Sequence, residues 1–69
     1  MTELDLLYMD RSSAIARYVD ALDKAMEAWE VGDIEADNHF TARSEFAMEE
    51  CTRLQNRINE LLSAERGER

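Results

Sequence analysis

The sequence predicts an all-α protein: a long antiparallel hairpin of two helices that pairs with a second copy as a homodimeric four-helix bundle. The 69 residues include no proline and only two glycines, Gly32 and Gly67, within a composition rich in helix formers. Apolar residues recur at alternating steps of three and four on both sides of Gly32. A chain this short closes a core with difficulty, and one cysteine excludes an internal disulfide, so self-association is the expected support.

The first helix is predicted over residues 3–30. Thr2 followed three residues later by Asp5 is an acidic variant of the capping box, which satisfies backbone N–H groups at a helix start. Gly32 is suited to the left-handed backbone conformation that ends many helices. We therefore expect a turn at residues 31–33.

The second helix is predicted over residues 34–65. Asp33 is its N-cap candidate, and Glu35 and Asp37 place negative charge at the positive end of the helix dipole. Each helix would extend roughly 40–47 Å at the helical rise per residue. The last residues, 66–69, are expected to fray, and residues 1–69 form a single helical-hairpin domain.

One stripe on each helix is predicted to form the core and the dimer interface. On the first helix, the apolar face spans roughly half of the cylinder, which is wider than one neighbouring helix requires. Ala14, Ala21 and Ala28 border it on one side, where small residues allow close helix approach, and Val19 and Met26 border it on the other. The interface residues are Leu4, Tyr8, Arg11, Ile15, Tyr18, Leu22 and Trp29 on the first helix, and Phe40, Cys51, Leu54, Ile58 and Leu61 on the second.

Arg11 falls in the middle of the first apolar face, where a charge is costly unless it is paired. One interpretation is that its stem packs while its head reaches solvent. Alternatively, an acid from a second copy pairs with it, because antiparallel pairing within one chain places another arginine, Arg57, at its level. Polar residues in a helix interface sometimes fix register in this way.

Net charge is distributed unevenly along the chain. Residues 20–50 contain ten acids and two bases, whereas the remaining residues contain six of each. Two acidic loop halves side by side would repel, so we predict an antiparallel dimer with the loops at opposite ends. The acids that this arrangement brings to the neutral half are Glu27, Glu30 and Glu45.

No combination of side chains predicts chemistry. Cys51 is interpreted as a small buried hydrophobe, since His39 lies twelve residues away on the same helix, roughly 18 Å along its axis. Glu35 and His39 could act as metal ligands only across an oligomer interface. Asp33, Glu35 and Asp37 alternate as calcium ligands do, but the glycine and terminal glutamate of a calcium loop are missing. We expect no catalytic residue, no metal and no cofactor.

The remaining aromatic residues suggest two further roles. Trp29 and Phe40 are expected to fill the loop end of the bundle. Phe46 points about 140° away from the second stripe, which is typical either of a single exposed apolar residue or of an anchor for a partner. The candidate partner patch consists of Phe46, Glu50, Arg53 and Arg57.

Two functions are compatible with these features. The favoured hypothesis is a non-enzymatic, acidic protein–protein interaction module that acts as a homo-oligomer and binds an unidentified protein. The alternative is an acidic inhibitor or nucleic-acid mimic that occupies a basic surface of an enzyme or regulator. A net charge of −8 disfavours nucleic acid as a partner. The sequence has neither a long apolar run nor a secretion signal, so we expect a cytoplasmic protein of bacterial or phage scale without membrane contact.

Overall fold

The structure is a computed structural model and describes residues 1–67. Helix α1 spans Glu3–Glu30 and helix α2 spans Ile34–Glu65, and there is no strand among the described residues. The helices pack against each other as a hairpin that measures 52 × 24 × 12 Å. The predicted all-α hairpin is confirmed. The end of the predicted frayed tail, residues 68 and 69, lies outside the described residues.

Both helices begin at the predicted caps. The Thr2 hydroxyl accepts a hydrogen bond from the Asp5 N–H at 3.1 Å, and the Asp5 carboxylate accepts one from the Thr2 N–H at 3.2 Å. At the start of α2, the Asp33 carboxylate accepts from the Ala36 N–H at 3.1 Å. These bonds satisfy donors that have no partner within a helix, which fixes where each helix starts.

The turn between the helices is a Schellman motif. The Gly32 N–H donates to the Trp29 carbonyl at 3.1 Å, and the Asp33 N–H donates to the Ala28 carbonyl at 2.9 Å. Gly32 has a φ of +77°, a left-handed conformation that side-chain-bearing residues adopt at a cost. The glycine therefore ends α1 and places the cap of α2 immediately after it.

Replacing Gly32 by alanine is expected to lower the free energy of unfolding by about 1–2 kcal/mol. No atom lies within 4 Å of the position of an added Cβ, so the cost arises from the backbone conformation rather than from a clash. Urea denaturation of Gly32→Ala measures it, with Val31→Ala in the same turn as the control, because Val31 is exposed and has a negative φ. Equal stability of the two variants would show that the turn does not require this conformation.

Small residues form the buried centre of the hairpin. Ala14 is 0% exposed, and Ile58 is the only large side chain that is fully buried among the described residues. The Ser44 hydroxyl, also buried, donates to the Thr41 carbonyl at 2.7 Å, so its polar atom is satisfied. The other buried residues are Ala21, Ala25, Ala28 and Ala47. Small side chains at these positions allow the two helices to approach closely.

The buried stripe on α1 differs from the predicted one by one residue. Ile15 follows buried Ala14, and Leu22 follows buried Ala21, so each is rotated by about 100° from the hairpin interface. The predicted core residues that the single chain leaves exposed are Tyr8, Ile15, Leu22 and Trp29. They do not form the hairpin core, and their place in a dimer interface stays a prediction.

The loop end also differs from expectation. Trp29 is 73% exposed, so it does not fill the end of the hairpin in the single chain. Phe40 instead contacts the ring of His39 edge-on, at a centroid distance of 5.1 Å, and the Lys24 ammonium lies 5.7 Å from its centroid. Trp29 and Phe40 therefore do not close the loop end of the single hairpin, and their role at the loop end of a bundle stays a prediction.

Candidate interaction faces

The hairpin is one helix thick and consequently has two flat faces that no third element of residues 1–67 covers. We define the pairing face by the exposed apolar side chains that flank the alanine stripe on α1, with two residues of α2 beside them. Its residues are Tyr8, Ile15, Val19, Leu22, Met26, Trp29, Met48 and Leu62. A shallow groove on this face runs between the helices, with Ile15, Cys51 and Gln55 in its lining.

The apolar residues of the pairing face form a second heptad pattern on α1. From Ile15 to Trp29 they follow one another at steps of four, three, four and three, as in a coiled-coil seam. The first such pattern, the alanine stripe, packs against α2. The second has no helix to pack against within the described chain, so it presents an unused helix-packing surface.

Uncharged side chains dominate the part of the pairing face that α2 contributes. Met48, Gln55 and Leu62 recur at seven-residue spacing, and Thr52 and Asn59 stand beside them. Glu45, at the same spacing before Thr52, lies at the border between this face and the outer side of α2, where it lines a shallow surface with Met48 and Thr52. An apolar centre with a mostly uncharged border is typical of surfaces that become buried against another protein.

The opposite flat face, which we call the ionic face, is held by ion pairs. Arg17 and Glu50 join the two helices at 3.0 Å, and Lys24 pairs with Asp20 at 3.1 Å within α1. Both pairs are largely solvent-exposed, so each contributes little to stability. The two faces of the hairpin thus differ in chemistry as well as in shape.

Phe46 stands at a groove of about 400 Å³ on the ionic face. The ring is 68% exposed, and Ala21, Phe40 and Ala47 contribute apolar lining beside it. Glu50 also lines the groove. This groove contains two of the four residues of the predicted partner patch.

The other two residues of the predicted patch lie elsewhere. Arg53 lines a shallow surface on the outer side of α2. Arg57 lies near the open end of the hairpin, where it pairs with Glu3 at 3.0 Å and with Glu60 at 3.1 Å. Arg53 and Arg57 are thus absent from the lining of the Phe46 groove.

The pKa of Arg57 is raised above its ordinary value, chiefly by the hydrogen bond to Glu3 and then by the one to Glu60. A cation whose pKa is higher in the folded than in the unfolded state stabilises the fold below the unfolded pKa. Because the arginine side chain keeps its charge at neutral pH, this contribution is present there and is lost only in strongly alkaline solution, where the guanidinium loses its proton.

Arg11 has a different neighbour from the one that the sequence predicts. One guanidinium nitrogen donates to the Gln55 side-chain oxygen, and the guanidinium carbon lies 5.1 Å from the Tyr8 ring centroid. Its Nε is buried and has no hydrogen-bond partner among residues 1–67. The predicted neighbour, Arg57, pairs with Glu3 instead. Arg11 is a half-buried cation without a carboxylate partner in the described chain.

The structure places the remaining candidate residues apart. Cys51 is a half-buried free thiol in the groove of the pairing face, whereas His39 lines the groove of the ionic face. Within residues 1–67, no three histidine, cysteine, aspartate or glutamate side chains cluster in a way that could hold a metal ion.

Sequence reasoning missed Gln55, the acceptor for Arg11. The sequence gives the level of each residue only approximately, whereas the bonds across the hairpin define it: Arg17 and Glu50 have numbers that add to 67, and Arg11 and Gln55 have numbers that add to 66. Residues at one level of an antiparallel hairpin share such a sum. With the sum of residue numbers known to within about one, the residue at the level of Arg11 is Gln55 rather than Arg57.

The fold and its faces define an all-α helical hairpin with one apolar and one ionic surface. In comparisons with known proteins, no family model matches the chain, and none of the curated proteins or solved structures matches it. Neither α1 nor α2 combines the length and the apolar character needed to cross a membrane.

Proposed function

We propose that this protein is a helical protein–protein interaction module whose pairing face binds a second copy of the chain. The observation that carries the proposal is the second heptad pattern on α1, from Ile15 to Trp29, which has no partner helix in one hairpin. Two such faces packed together supply each helix with the neighbour it lacks and produce a four-helix bundle. No catalytic step is part of this function.

The surface area of the chain supports the proposal. A folded monomer of 8.0 kDa is expected to expose about 4,450 Å². This chain exposes 5334 Å², roughly 900 Å² more than that scaling gives. A standard protein–protein interface buries about 800 Å² on each partner. The excess thus equals what one interface would remove.

The shape of the hairpin points the same way. The radius of gyration is 15.9 Å, whereas a compact domain of 69 residues has one of about 11 Å. The hairpin is only 12 Å in its shortest dimension, so stacking two hairpins face to face makes a more compact body without changing either fold. Full burial of an exposed large apolar side chain contributes about 1.5–3 kcal/mol, and the side chains of the pairing face, most of them about half exposed, would gain a corresponding fraction of it.

Sedimentation equilibrium of the full chain at micromolar concentration tests self-association. We expect a mass of twice 8.0 kDa that persists in high salt, because the pairing face is mainly apolar. Circular dichroism at each concentration shows whether helix content depends on dimer formation. A monomer that remains fully helical under these conditions would contradict the proposal.

The ionic face provides a second surface, for an unidentified protein. When two pairing faces are covered, the Phe46 groove stays on the outside of the bundle with its apolar lining. A partner that inserts an apolar side chain there would remain bound in high salt, and Phe46→Ala would weaken it. A pull-down in which the only captured protein dissociates at 0.5 M salt would instead indicate an electrostatic interaction.

The distribution of charge favours one second candidate function, an acidic inhibitor of a basic surface. The segment from Asp20 to Glu50, which contains the loop, has a net charge of −8. Such a surface could occupy a site that normally binds a nucleic-acid backbone. Binding would then fall steeply with salt and would depend on the loop acids rather than on Phe46. Comparing Asp33→Asn with Phe46→Ala in the same binding assay separates the two functions.

A further inference from the structure

We infer that the two copies pair with their loops at opposite ends and that Glu45 of the partner subunit completes the environment of Arg11. This inference rests on the proposed self-association, and it specifies the orientation and the register. Arg11 is half-buried on the pairing side, and its side chain bonds to the neutral Gln55 oxygen, with no carboxylate partner in the described chain. A carboxylate from a second copy is the chemistry that a half-buried guanidinium lacks.

Stacking two flat hairpins by a twofold axis allows two orientations. If the axis runs across the helices, α1 lies on the partner's α1, α2 lies on the partner's α2, and the loops are at opposite ends. If the axis runs along the helices, α1 lies on the partner's α2, and the loops meet at one end. The orientation therefore decides which residues of the two copies face each other.

Charge favours the first orientation. With the loops at one end, two segments with a net charge of −8 would lie side by side. With the loops opposed, each acidic segment lies along the neutral half of the other copy. Complementary potential across an interface mainly sets orientation, and like-charge juxtaposition excludes the alternative.

The register follows from covering both pairing faces along their full length. The midpoint of the hairpin is the level of Arg17 and Glu50, which bond across it at 3.0 Å. An axis at that level places Ile15 opposite the partner's Val19 and Tyr8 opposite the partner's Met26. Sliding the copies by one heptad toward their loops matches other apolar residues, but it uncovers both open ends and brings the acidic segments into greater overlap.

On α2, the same axis places Gln55 opposite the partner's Glu45, because both residues lie five positions from Glu50. Gln55 already accepts a hydrogen bond from Arg11, so the partner's Glu45 arrives at the side chain that orients the guanidinium. In the orientation with both loops at one end, Gln55 faces the partner's α1 instead. Arg11, Gln55 and the partner's Glu45 thus form one charged cluster, repeated by the twofold axis, in an otherwise mainly uncharged interface.

Cys51 makes the orientation measurable. It lies one residue from the axis level and lines the groove of the pairing face, so the two thiols are offset by only about 3 Å along the bundle. Sliding by one heptad separates them by roughly 13 Å along the axis. With both loops at one end, the two α2 helices lie diagonally across the bundle, roughly 11–14 Å apart, beyond disulfide reach.

Oxidation of the native chain with diamide is therefore expected to link the two copies through Cys51 in high yield, at a concentration where the dimer is formed. Cys51→Ser should abolish the product. The matched control moves the thiol to the ionic face, as in Cys51→Ser combined with Ala42→Cys, and should give little product. A dimer that yields no Cys51 disulfide would overturn the orientation or the register.

A charge exchange tests the role of Glu45. Glu45→Lys is expected to weaken the dimer by about tenfold or more, since it brings a lysine to the Arg11 cluster of the other copy. Glu49→Lys is the control, because it makes the same charge change one helical turn away, at a level that the axis places opposite the partner's Cys51 rather than the partner's Gln55. Combining Arg11→Glu with Glu45→Lys should restore most of the affinity.

Self-association and the contact between Arg11 and the partner's Glu45 are contradicted by different results. A monomer in sedimentation would contradict self-association itself. A stable dimer in which Glu45→Lys and Glu49→Lys behave alike, and in which the double exchange restores nothing, would leave self-association intact and overturn the Arg11–Glu45 contact.

Discussion

Truncating Ile58 to alanine is expected to lower the free energy of unfolding by about 2–5 kcal/mol, the largest stability effect in this chain. Ile58 is 1% exposed and is the only large side chain that is fully buried among residues 1–67. The other buried apolar residues of the described chain are alanines, so Ile58 supplies the largest apolar side chain of the core. A domain of this length has a total stability of only about 3–10 kcal/mol, so a large fraction of the variant should be unfolded.

Two matched truncations test whether the loss of stability depends on burial of the truncated side chain. Leu54→Ala, at a half-buried position four residues earlier on the same stripe, should cost less than Ile58→Ala. Ile34→Ala, the same change at an exposed position outside the pairing face, should leave the stability nearly unchanged. Urea denaturation followed by circular dichroism gives the three values. A change below about 0.5 kcal/mol for Ile58→Ala would mean that the stripe on α2 is not the core.

The ends of the helices were predictable because local chemistry determines them. Thr2, Asp5, Gly32 and Asp33 act through hydrogen bonds and backbone conformations within a few residues. Such interactions do not depend on how the two helices are arranged. The capping pattern and the left-handed glycine could therefore be inferred from the sequence and are confirmed.

The face that α1 turns toward α2 was not predictable in the same way. Its alanine stripe and its stripe of larger residues are adjacent, and both have heptad spacing. Hydrophobicity alone favours burying Ile15 and Leu22, because they remove more apolar area from water. The structure instead buries Ala14 and Ala21, whose small side chains permit close packing of the two helices. Within one chain, close approach took precedence over the size of the buried side chains.

For α2 the situation is simpler, since it has only one strong stripe. Phe40, Cys51, Leu54 and Leu61 are half-buried, and Ile58 is buried, so the predicted side of this helix does face α1. The neighbours of Arg11 required the level of each residue to be known to within about one position. An approximate sum of the residue numbers at one level of the hairpin gave Arg57 as the neighbour, whereas the structure gives Gln55.

The second prediction concerns self-association and has the largest expected effect on binding. Ile15→Asp should weaken the dimer by at least about a hundredfold, because it places an unpaired carboxylate in the middle of the pairing face of each copy. Phe46→Asp is the matched control on the ionic face. In the single chain Phe46 is 68% exposed and Ile15 is 45% exposed. If exposure alone decided the outcome, both substitutions would have mild effects, and the effect at Phe46 would be only slightly smaller.

Sedimentation equilibrium and circular dichroism, measured on both variants over the same concentrations, distinguish the outcomes. If the hairpin folds without a partner, Ile15→Asp will be a helical monomer, and if folding requires the dimer, it will lose helix content as well. Phe46→Asp should remain a helical dimer in either case. An Ile15→Asp chain that dimerises as well as the native protein would show that the second heptad pattern on α1 does not bind a second copy, because a buried charge at its centre cannot be accommodated without loss of affinity.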